Sequence, residues 1–449
     1  MLKIYNTLKK EEQVFTPIEP GKVRMYSCGP TVYGMPHIGN YRAFVFADVL
    51  KRVLQYSGLE VKHVMNITDV DDKIVRDSKA ASKSLEEFTE FYTEEFHKEC
   101  ARLNITAPTI ESLATEHIND MVKMIETLLE KGLAYKGEDE SIYFNIKKDT
   151  DYGILSGLDL KKSDASQSRI KNDEYDKENA QDFALWKAWD EQDGDVFWET
   201  SLGKGRPGWH IECSAMSTKY LGNHFDIHTG GIDLVFPHHE NEIAQSESCT
   251  DEQFVNYWIH NGHILIDGKK MSKSLKNDYR LSDLEEKGFS PMDYRYFLLQ
   301  GNYRGLINFT WEALEAGQNA LKKLKNLYLD LGTDIGAVSA FYKQKFTEAL
   351  EDNLNTPEAL AVLWTLAHDK DTLLADKKAT LLDFDKVLGL GMESWIKDQI
   401  PDEVLALARE RNTARLAKDF AKSDTLRDQI AALGYEIKDR GEDFEVRKI

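Results

Sequence analysis

The 449-residue chain lacks a basic excess: 57 Lys and Arg stand against 77 Asp and Glu, a net charge of −20. Proteins that bind polyanions usually carry a basic surface, so this balance taken alone points away from nucleic acid as a partner. Long apolar runs are also missing. None approaches the ~18–20 residues of a membrane span, and the mean hydropathy of −0.50 agrees. Met1 to Lys10 contain no apolar signal core. Cysteine is scarce, with four residues, Cys28, Cys100, Cys213 and Cys249, spaced too widely for a disulfide framework. A cytoplasmic location is expected, where thiols stay reduced and remain free to be metal ligands. What is present, 41% hydrophobic and 10% aromatic residues, excludes wholesale disorder. The length gives a soft expectation of roughly three domains.

The first hundred residues alternate strand and helix. Val23 to Cys28 is β-prone, Gly29-Pro30 breaks it, and a helical pattern from Asn40 puts Phe46, Val49, Leu50, Val53 and Leu54 on one face. Gly58 is a natural helix stop, and Val61 to Ile67 reads as a second apolar strand. Such a βαβ unit implies a parallel sheet. Helical periodicity covers about 85–145, including Met121, Met124, Ile125, Leu128 and Leu129. Residues 146–204 are charged, poorly periodic and broken by glycine, with Lys161 to Glu178 reading as a surface excursion. The β/α character returns at Gly208 to Thr218 and Asp226 to Pro237, followed by a helix from His238. From Trp311 the pattern is almost purely helical, and 391–402 reads as a linker. The expected architecture is α/β: a doubly wound, Rossmann-type parallel sheet with an insertion, then an all-α bundle and a small C-terminal module.

Two short strings carry the strongest chemical signal. His37-Ile38-Gly39-Asn40 lies between a strand and a helix N-terminus, where backbone N–H groups and the positive dipole end favour a phosphate. His37 and Asn40 add donors, and Gly39 permits close approach of a nucleotide. Lys270-Met271-Ser272-Lys273-Ser274 places two ammonium groups on a loop, suited to the charge that develops as pyrophosphate leaves an α-phosphate. A lone His-Ile-Gly is weak and a Lys/Ser run is usually a solvated loop. The five-residue string, however, arises by chance in only on the order of 10⁻⁴–10⁻³ of chains this long.

Together these strings resemble the HIGH and KMSKS signatures of class I aminoacyl-tRNA synthetases. Cys28 to Tyr33 (CGPTVY), Asn66 to Asp69 (NITD), Gly205 to Met216 (GRPGWHIECSAM) and Phe236 to Gln245 (FPHHENEIAQ) narrow the resemblance to the cysteinyl-tRNA synthetase family, over essentially the whole chain. Pro237 at a helix start puts His238 and Glu242 at i and i+4 on one face. With thiolates such as Cys28 and Cys213 these form a borderline-soft zinc set. Spacing alone fits a solvated polar face more often, and it leaves His239 and Glu240 as rival ligands. The resemblance implies one Zn²⁺ held by Cys28, Cys213, His238 and Glu242, while Cys100 and Cys249 match no family position. It implies ATP, with Mg²⁺, handled by His37, Gly39, Asn40, Gly230, Asp233, Lys270 and Lys273. Of these, His37, Asn40, Lys270 and Lys273 would be catalytic. It places Thr68, Trp209, His228 and Asp233 around the substrate, although Trp209 and His228 would otherwise read as core residues.

The implied domains are a catalytic domain split into 1–110 and 205–265 by a connective insertion at 111–204. A KMSKS and stem-contact region follows at 266–310, then a helical bundle at 311–391 and an anticodon-binding module at 400–449. The implied reaction activates cysteine as its adenylate and transfers it to tRNA-Cys, in a monomer that needs no membrane. The alternative is a paralogous cysteine:amino-sugar ligase with the same adenylating domain. The tail discriminates, since Arg409, Arg411, Arg415, Lys418, Lys422 and Arg427 lie on a helical pattern; their bland reading is a solvated helix with ion pairs to Glu410, Asp419 and Asp424. Residues 402–448 hold ten basic and eleven acidic residues, so the acidic deficit lies elsewhere and tRNA is expected on a locally basic track across the terminal module and the KMSKS side. A zinc-stabilised RNA-binding protein would not need His37, Lys270 and Lys273, and a zinc hydrolase using Glu240 as base leaves the KMSKS string unexplained. Three positions depart from the family pattern: Asn40 in place of a second histidine, Lys276 where glycine is usual, and a C-terminus (441–446, GEDFEV) without the small–Thr–x–Trp ending.

Overall fold

A computed structural model describes residues 1–158, 169–170, 181–272, 275–396 and 400–448. Most of the Lys161 to Glu178 excursion, together with Lys273 and Ser274, lies outside the described residues. Two compact units emerge, Met1–Met392 and Glu393–Ile449.

The first unit is built on five parallel strands: β1 (Lys22–Ser27), β2 (Glu60–Ile67), β3 (Ile110–Leu113), β4 (Phe225–Gly231) and β5 (Val255–Asn261). Their spatial order is β5-β4-β1-β2-β3. The register sets Met25 beside both His63 and Ile227. Helix α1 (Ile38–Tyr56) joins β1 to β2 and ends, as glycine at position 58 predicts, with Gly58 at φ 85°. Two more helices, α2 (Trp209–Leu221) and α3 (Glu240–Thr250), follow the insertion. Successive side chains of a strand point to opposite faces. Val64 accordingly packs with Cys213 of α2 and Phe254, while His63 and Met65 line a cavity together with Phe44 and Ala47 of α1. Helices thus cover both faces, which is why consecutive residues such as Val64 to Ile67 are all buried. The chain leaves β1 toward β2 and β3 on one side and returns to β4 and β5 on the other. The C-terminal ends of β1 and β4 therefore flank a topological switch point, the usual ligand crevice of such sheets.

The insertion contains order that sequence periodicity does not reveal. Strands Ala134–Lys136, Ile142–Phe144, Asp182–Ala188, Trp198–Thr200 and Gly203–Pro207 form an antiparallel sheet, with Arg169–Ile170 beside Asp182–Ala188. The strands are short and buried through tertiary packing: Phe144, Phe183 and Trp186 share a core with Met121 and Ile125 of helix Ile118–Glu130 and with Ile211 and Met216 of α2. The helical periodicity read over 85–145 is interrupted by these strands and by β3.

Helices Trp311–Leu329, Ala340–Glu351, Thr356–His368 and Leu374–Leu388 follow. Thr310 and Asn355 cap two of them through their side chains, and Phe346 stacks on Phe384. The buried Arg295 binds this bundle to the sheet domain: its guanidinium donates to the Leu388 carbonyl at 2.8 Å, the Leu103 carbonyl at 3.0 Å and Asp48 of α1 at 2.6 Å.

The second unit pairs helices Asp402–Leu416 and Phe420–Ala432 with a hairpin, Tyr435–Arg440 and Asp443–Lys448. The hairpin departs from the purely helical reading of the tail. Val404, Ala408, Ile430 and Ile437 form its core. Arg411 is 1% exposed and paired with Asp439, so it acts as a structural residue. Lys422 pairs with Glu410 at 2.8 Å and Arg427 with Asp424 at 3.6 Å, as the bland reading of those cations expects. Asp419 instead caps the second helix through the amide of Lys422. Among the described residues no helix is long and apolar enough to cross a membrane.

Candidate functional site

Cys28 directly follows β1, Thr68 directly follows β2, and Gly230 and Gly231 end β4, so three strand ends converge on the switch point. Gly29 is obligatory there, because a Cβ would fall 1.6 Å from the Asn66 carbonyl oxygen. Asn66 accepts the Gly29 N–H at 2.8 Å and donates to Thr68 Oγ1, which donates in turn to Glu212 at 2.9 Å.

The structure brings Cys28, Cys213, His238 and Glu242 together, one donor atom from each lying within 4.8 Å of all the others. Phe236 has a non-helical backbone (φ −136°, ψ 132°), so the turn that carries His238 starts at Pro237. The i, i+4 relation then sets His238 Nε2 3.1 Å from Glu242 Oε1. A second set, Cys28, His228, His239 and Glu242, satisfies the same distance limit, with His239 Nε2 3.2 Å from Cys28 Sγ. His239 therefore stays a geometric rival. Glu240 does not: its carboxylate accepts the amides of Gly153 at 2.9 Å and Ser156 at 2.7 Å, clamping the insertion onto α3.

The charges in this pocket regulate one another. Burial pushes the Cys213 thiol up, but a hydrogen bond from Cys28 and the adjacent His238 outweigh it and bring it down to about 6. Cys28, the donor, is raised by burial and by Cys213. Burial alone would raise the Glu242 carboxyl, yet His228 and His238 hold it at about 2. His238, which burial would lower, is lifted to about 10 by Glu242 and Cys213. Three acidic donors and an imidazole concentrated in a buried space match the chemistry of a bound divalent cation, and two thiols among them favour a borderline-soft one.

The other expected substrate residues fall around this set. Trp209 opens α2, half-buried, its ring 4.2 Å from that of His238. His228 is fully buried; it stacks on Trp258 and its Nε2 meets Glu242 Oε2 at 2.9 Å, so it buttresses the carboxylate. Asp233 is half-exposed, its Oδ1 3.8 Å from His263 Nδ1. A Cβ on Gly230 would lie 2.8 Å from the His239 ring.

His37 caps α1 and forms a reciprocal box with Asn40: Asn40 N–H donates to His37 Nδ1 at 3.2 Å, and His37 N–H donates to Asn40 Oδ1 at 3.0 Å. A neutral ring that accepts at Nδ1 carries its proton on Nε2, which is then a donor. Asn40 supplies the oxygen that this box requires and keeps an amide NH₂ as donor. The second signature lies beside the first, since a Cβ on Gly39 would sit 3.4 Å from Met271 Sδ and Ile38 N–H donates to the Tyr279 carbonyl. Lys270 ends the exposed strand Lys269–Lys270, which pairs with Ile264–Ile266. Asn277 braces the loop by accepting Ser272 N–H at 2.8 Å and donating to the Lys270 carbonyl at 3.2 Å. Lys276 takes φ 51°, the left-handed conformation that suits glycine.

Several participants escaped the sequence reading. His210 Nδ1 lies 2.9 Å from His238 Nδ1. His239 Nδ1 meets His260 Nε2, whose Nδ1 meets Thr7 Oγ1. His210 and Glu212 stood inside the 205–216 string, and their one signal was position beside Cys213. His260 had no local signal, because β5 pairing alone delivers it.

The chain is similar to known proteins along its length. The family model described as "tRNA synthetases class I (C) catalytic domain" matches residues 14–319; the DALR domain matches 345–393 and "Cysteinyl-tRNA ligase anticodon binding domain" matches 397–447. Curated relatives include the cysteine–tRNA ligases of Brachyspira hyodysenteriae (44% identical, covering 97% of each chain) and Opitutus terrae (45%, covering 99% of this chain and 98% of the relative). Among solved structures, Mycobacterium tuberculosis methionyl-tRNA synthetase aligns with a TM-score of 0.57 at 13% identity, covering 82% of this chain and 90% of that one, a likeness of fold alone. With its parallel sheet, paired signatures and full-length relatives, the chain belongs to the cysteinyl-tRNA ligase family of class I synthetases.

Proposed function

We propose that the protein activates cysteine with ATP and Mg²⁺ and transfers it to the 3′-terminal adenosine of tRNA-Cys, acting as a cytoplasmic monomer. The observation that carries this reading is the largely buried Cys28, Cys213, His238 and Glu242 set at the switch point, beside an α1 N-terminus shaped to receive phosphate.

Cys28, Cys213, His238 and Glu242 would hold a Zn²⁺. Bound there, it supplies a thiol-selective site, since a thiolate coordinates zinc far more readily than the hydroxyl of serine does. An apolar pocket separates such near-isosteres only weakly. The protein's own residues do the positioning. His210 and His228 orient His238 and Glu242, and Trp209 closes one side. His37 Nε2–H, the Asn40 amide and the Gly39 N–H are donors for the triphosphate. Asp233 and the bare backbone of Gly230 receive the nucleoside. Lys270, with Lys273, neutralises charge on the departing pyrophosphate as the cysteine carboxylate attacks the α-phosphate. The terminal adenosine hydroxyl then displaces AMP, with no side-chain nucleophile required.

Cysteine-dependent ATP–pyrophosphate exchange, followed by transfer assays with tRNA-Cys and with an amino-sugar, tests this. Exchange with cysteine and transfer to tRNA alone is expected. Equal exchange with serine would overturn the zinc-selector argument, and transfer to the sugar alone would assign the paralogous ligase reaction.

A further inference from the structure

One turn beyond Ile38, α1 buries a guanidinium. Arg42 is 3% exposed, yet no carboxylate among the described residues pairs with it. A buried charge is ordinarily paired, because taking it out of water is costly. Arg42 is met instead by four main-chain carbonyls. Its Nη1 donates to the His263 carbonyl, and its Nη2 donates to those of Asn302 at 3.2 Å, Tyr303 at 2.9 Å and Gly305 at 2.6 Å. Burial lowers the group only to about 10, so it stays charged at neutral pH. The carbonyls belong to two segments of the chain. His263 lies just past the end of β5 and before strand Ile264–Ile266, which pairs with Lys269–Lys270. Residues 302–305 lie between helix Pro291–Leu299 and strand Ile307–Phe309. The two segments press closely together: Gly262 N–H donates to the Tyr303 carbonyl at 2.8 Å, and a Cβ on Gly262 would fall 2.4 Å from the Gly305 carbonyl oxygen. The Tyr303 ring also stacks on Phe46 of α1 at 4.6 Å.

We propose that Arg42 is a positioning residue that fixes the nucleoside end of the ATP site against its phosphate end, an inference that rests on the function proposed above. Helix α1 presents His37, Gly39 and Asn40 to the triphosphate. The chain leaving β5 carries His263, whose ring lies beside Asp233 on the nucleoside side. ATP must reach both, so the placement of α1 relative to the exit of β5 decides how well one molecule spans them. Arg42 stands on the first and grips the second at four points. Its planar fork sends donors in fixed directions, whereas the ammonium of a lysine is a compact point charge. These donors are engaged by protein carbonyls, so Arg42 acts through them and not on substrate. None of its bonds goes to Cys28, Cys213, His238 or Glu242. Its influence therefore falls on ATP and leaves the recognition of cysteine alone.

Steady-state pyrophosphate exchange and calorimetric titration with ATP, both on the full-length protein, test this role. Arg42→Lys keeps the charge but cannot span four carbonyls. It should raise KM for ATP, and weaken ATP in the calorimeter, about tenfold. KM for cysteine should stay within about twofold and bound zinc should be unchanged, a split that a general loss of structure does not produce. Arg42→Met, which leaves the carbonyls without a donor, should raise KM for ATP further; if it does not fold, Arg42→Lys alone decides. An unchanged ATP affinity in Arg42→Lys, or an equal rise in KM for ATP and for cysteine, would overturn the proposal. Absence of cysteine-dependent exchange in the unaltered enzyme would instead overturn the proposed function, and calorimetry with ATP would still read the effect of Arg42.

Discussion

Around Cys213 three of the four donors are buried and the fourth, Cys28, is half-buried against His239, whereas around Lys270 the chain is an exposed two-residue strand held by the side chain of Asn277. In the first region His238 is backed by His210 and Glu242 by His228. In the second, Lys276 holds a backbone conformation that its own side chain disfavours. The contrast follows the physics of the two tasks proposed for these regions. Distinguishing sulfur from oxygen demands donors fixed within fractions of an ångström. Stabilising a leaving pyrophosphate demands cations that reach it, and a solvated ammonium can do so without a rigid cage.

Four changes test that division, in descending order of effect. Cys213→Ser should lower kcat/KM for cysteine in pyrophosphate exchange by about 10³-fold and lower bound zinc in parallel; full activity in a zinc-stripped enzyme would erase the distinction between the regions. Lys270→Ala should reduce kcat about 10²–10³-fold with zinc content and the preference for cysteine over serine intact. His210→Ala should weaken zinc affinity about 10–100-fold, measured by competition with a chelator, because it removes the group that orients His238. Lys276→Gly relieves about 1 kcal/mol of left-handed strain and should alter KM for ATP by no more than about fivefold, with no effect on zinc. A loss of cysteine selectivity in Lys276→Gly would break the division.

The parts of this molecule that sequence discloses are those where local pattern and final environment agree. Val23, Val61 and the α1 stripe from Phe46 to Leu54 are apolar because both faces of a parallel sheet are covered, and Gly58 ends α1 as its type predicts. His238 and Glu242 share a helix face, so their pairing was readable from spacing. Their union with Cys28 and Cys213 was not; it needed the family resemblance, because β1 and α2 meet only through sheet topology. The insertion sheet stayed hidden because three-residue strands such as Ile142–Phe144 offer no measurable period. Glu240 shows the converse: a carboxylate beside two histidines reads as a ligand, and it became a clamp because Gly153 and Ser156 present amides to it.

The order of strands in the sheet also sets a timetable. β1 lies between β2 and β4, yet β4 begins about 200 residues after β1 ends. At a synthesis rate of about 5–20 residues per second, roughly 10 to 40 s separate the emergence of the two. Through that interval one edge of β1 has no strand to pair with, and an open edge invites pairing with other chains. Neither candidate metal set is complete before His239 and Glu242 emerge, so the nascent N-terminal half holds Cys28 without its ligand partners. Assembly of this pocket is thus a late event in the life of each chain.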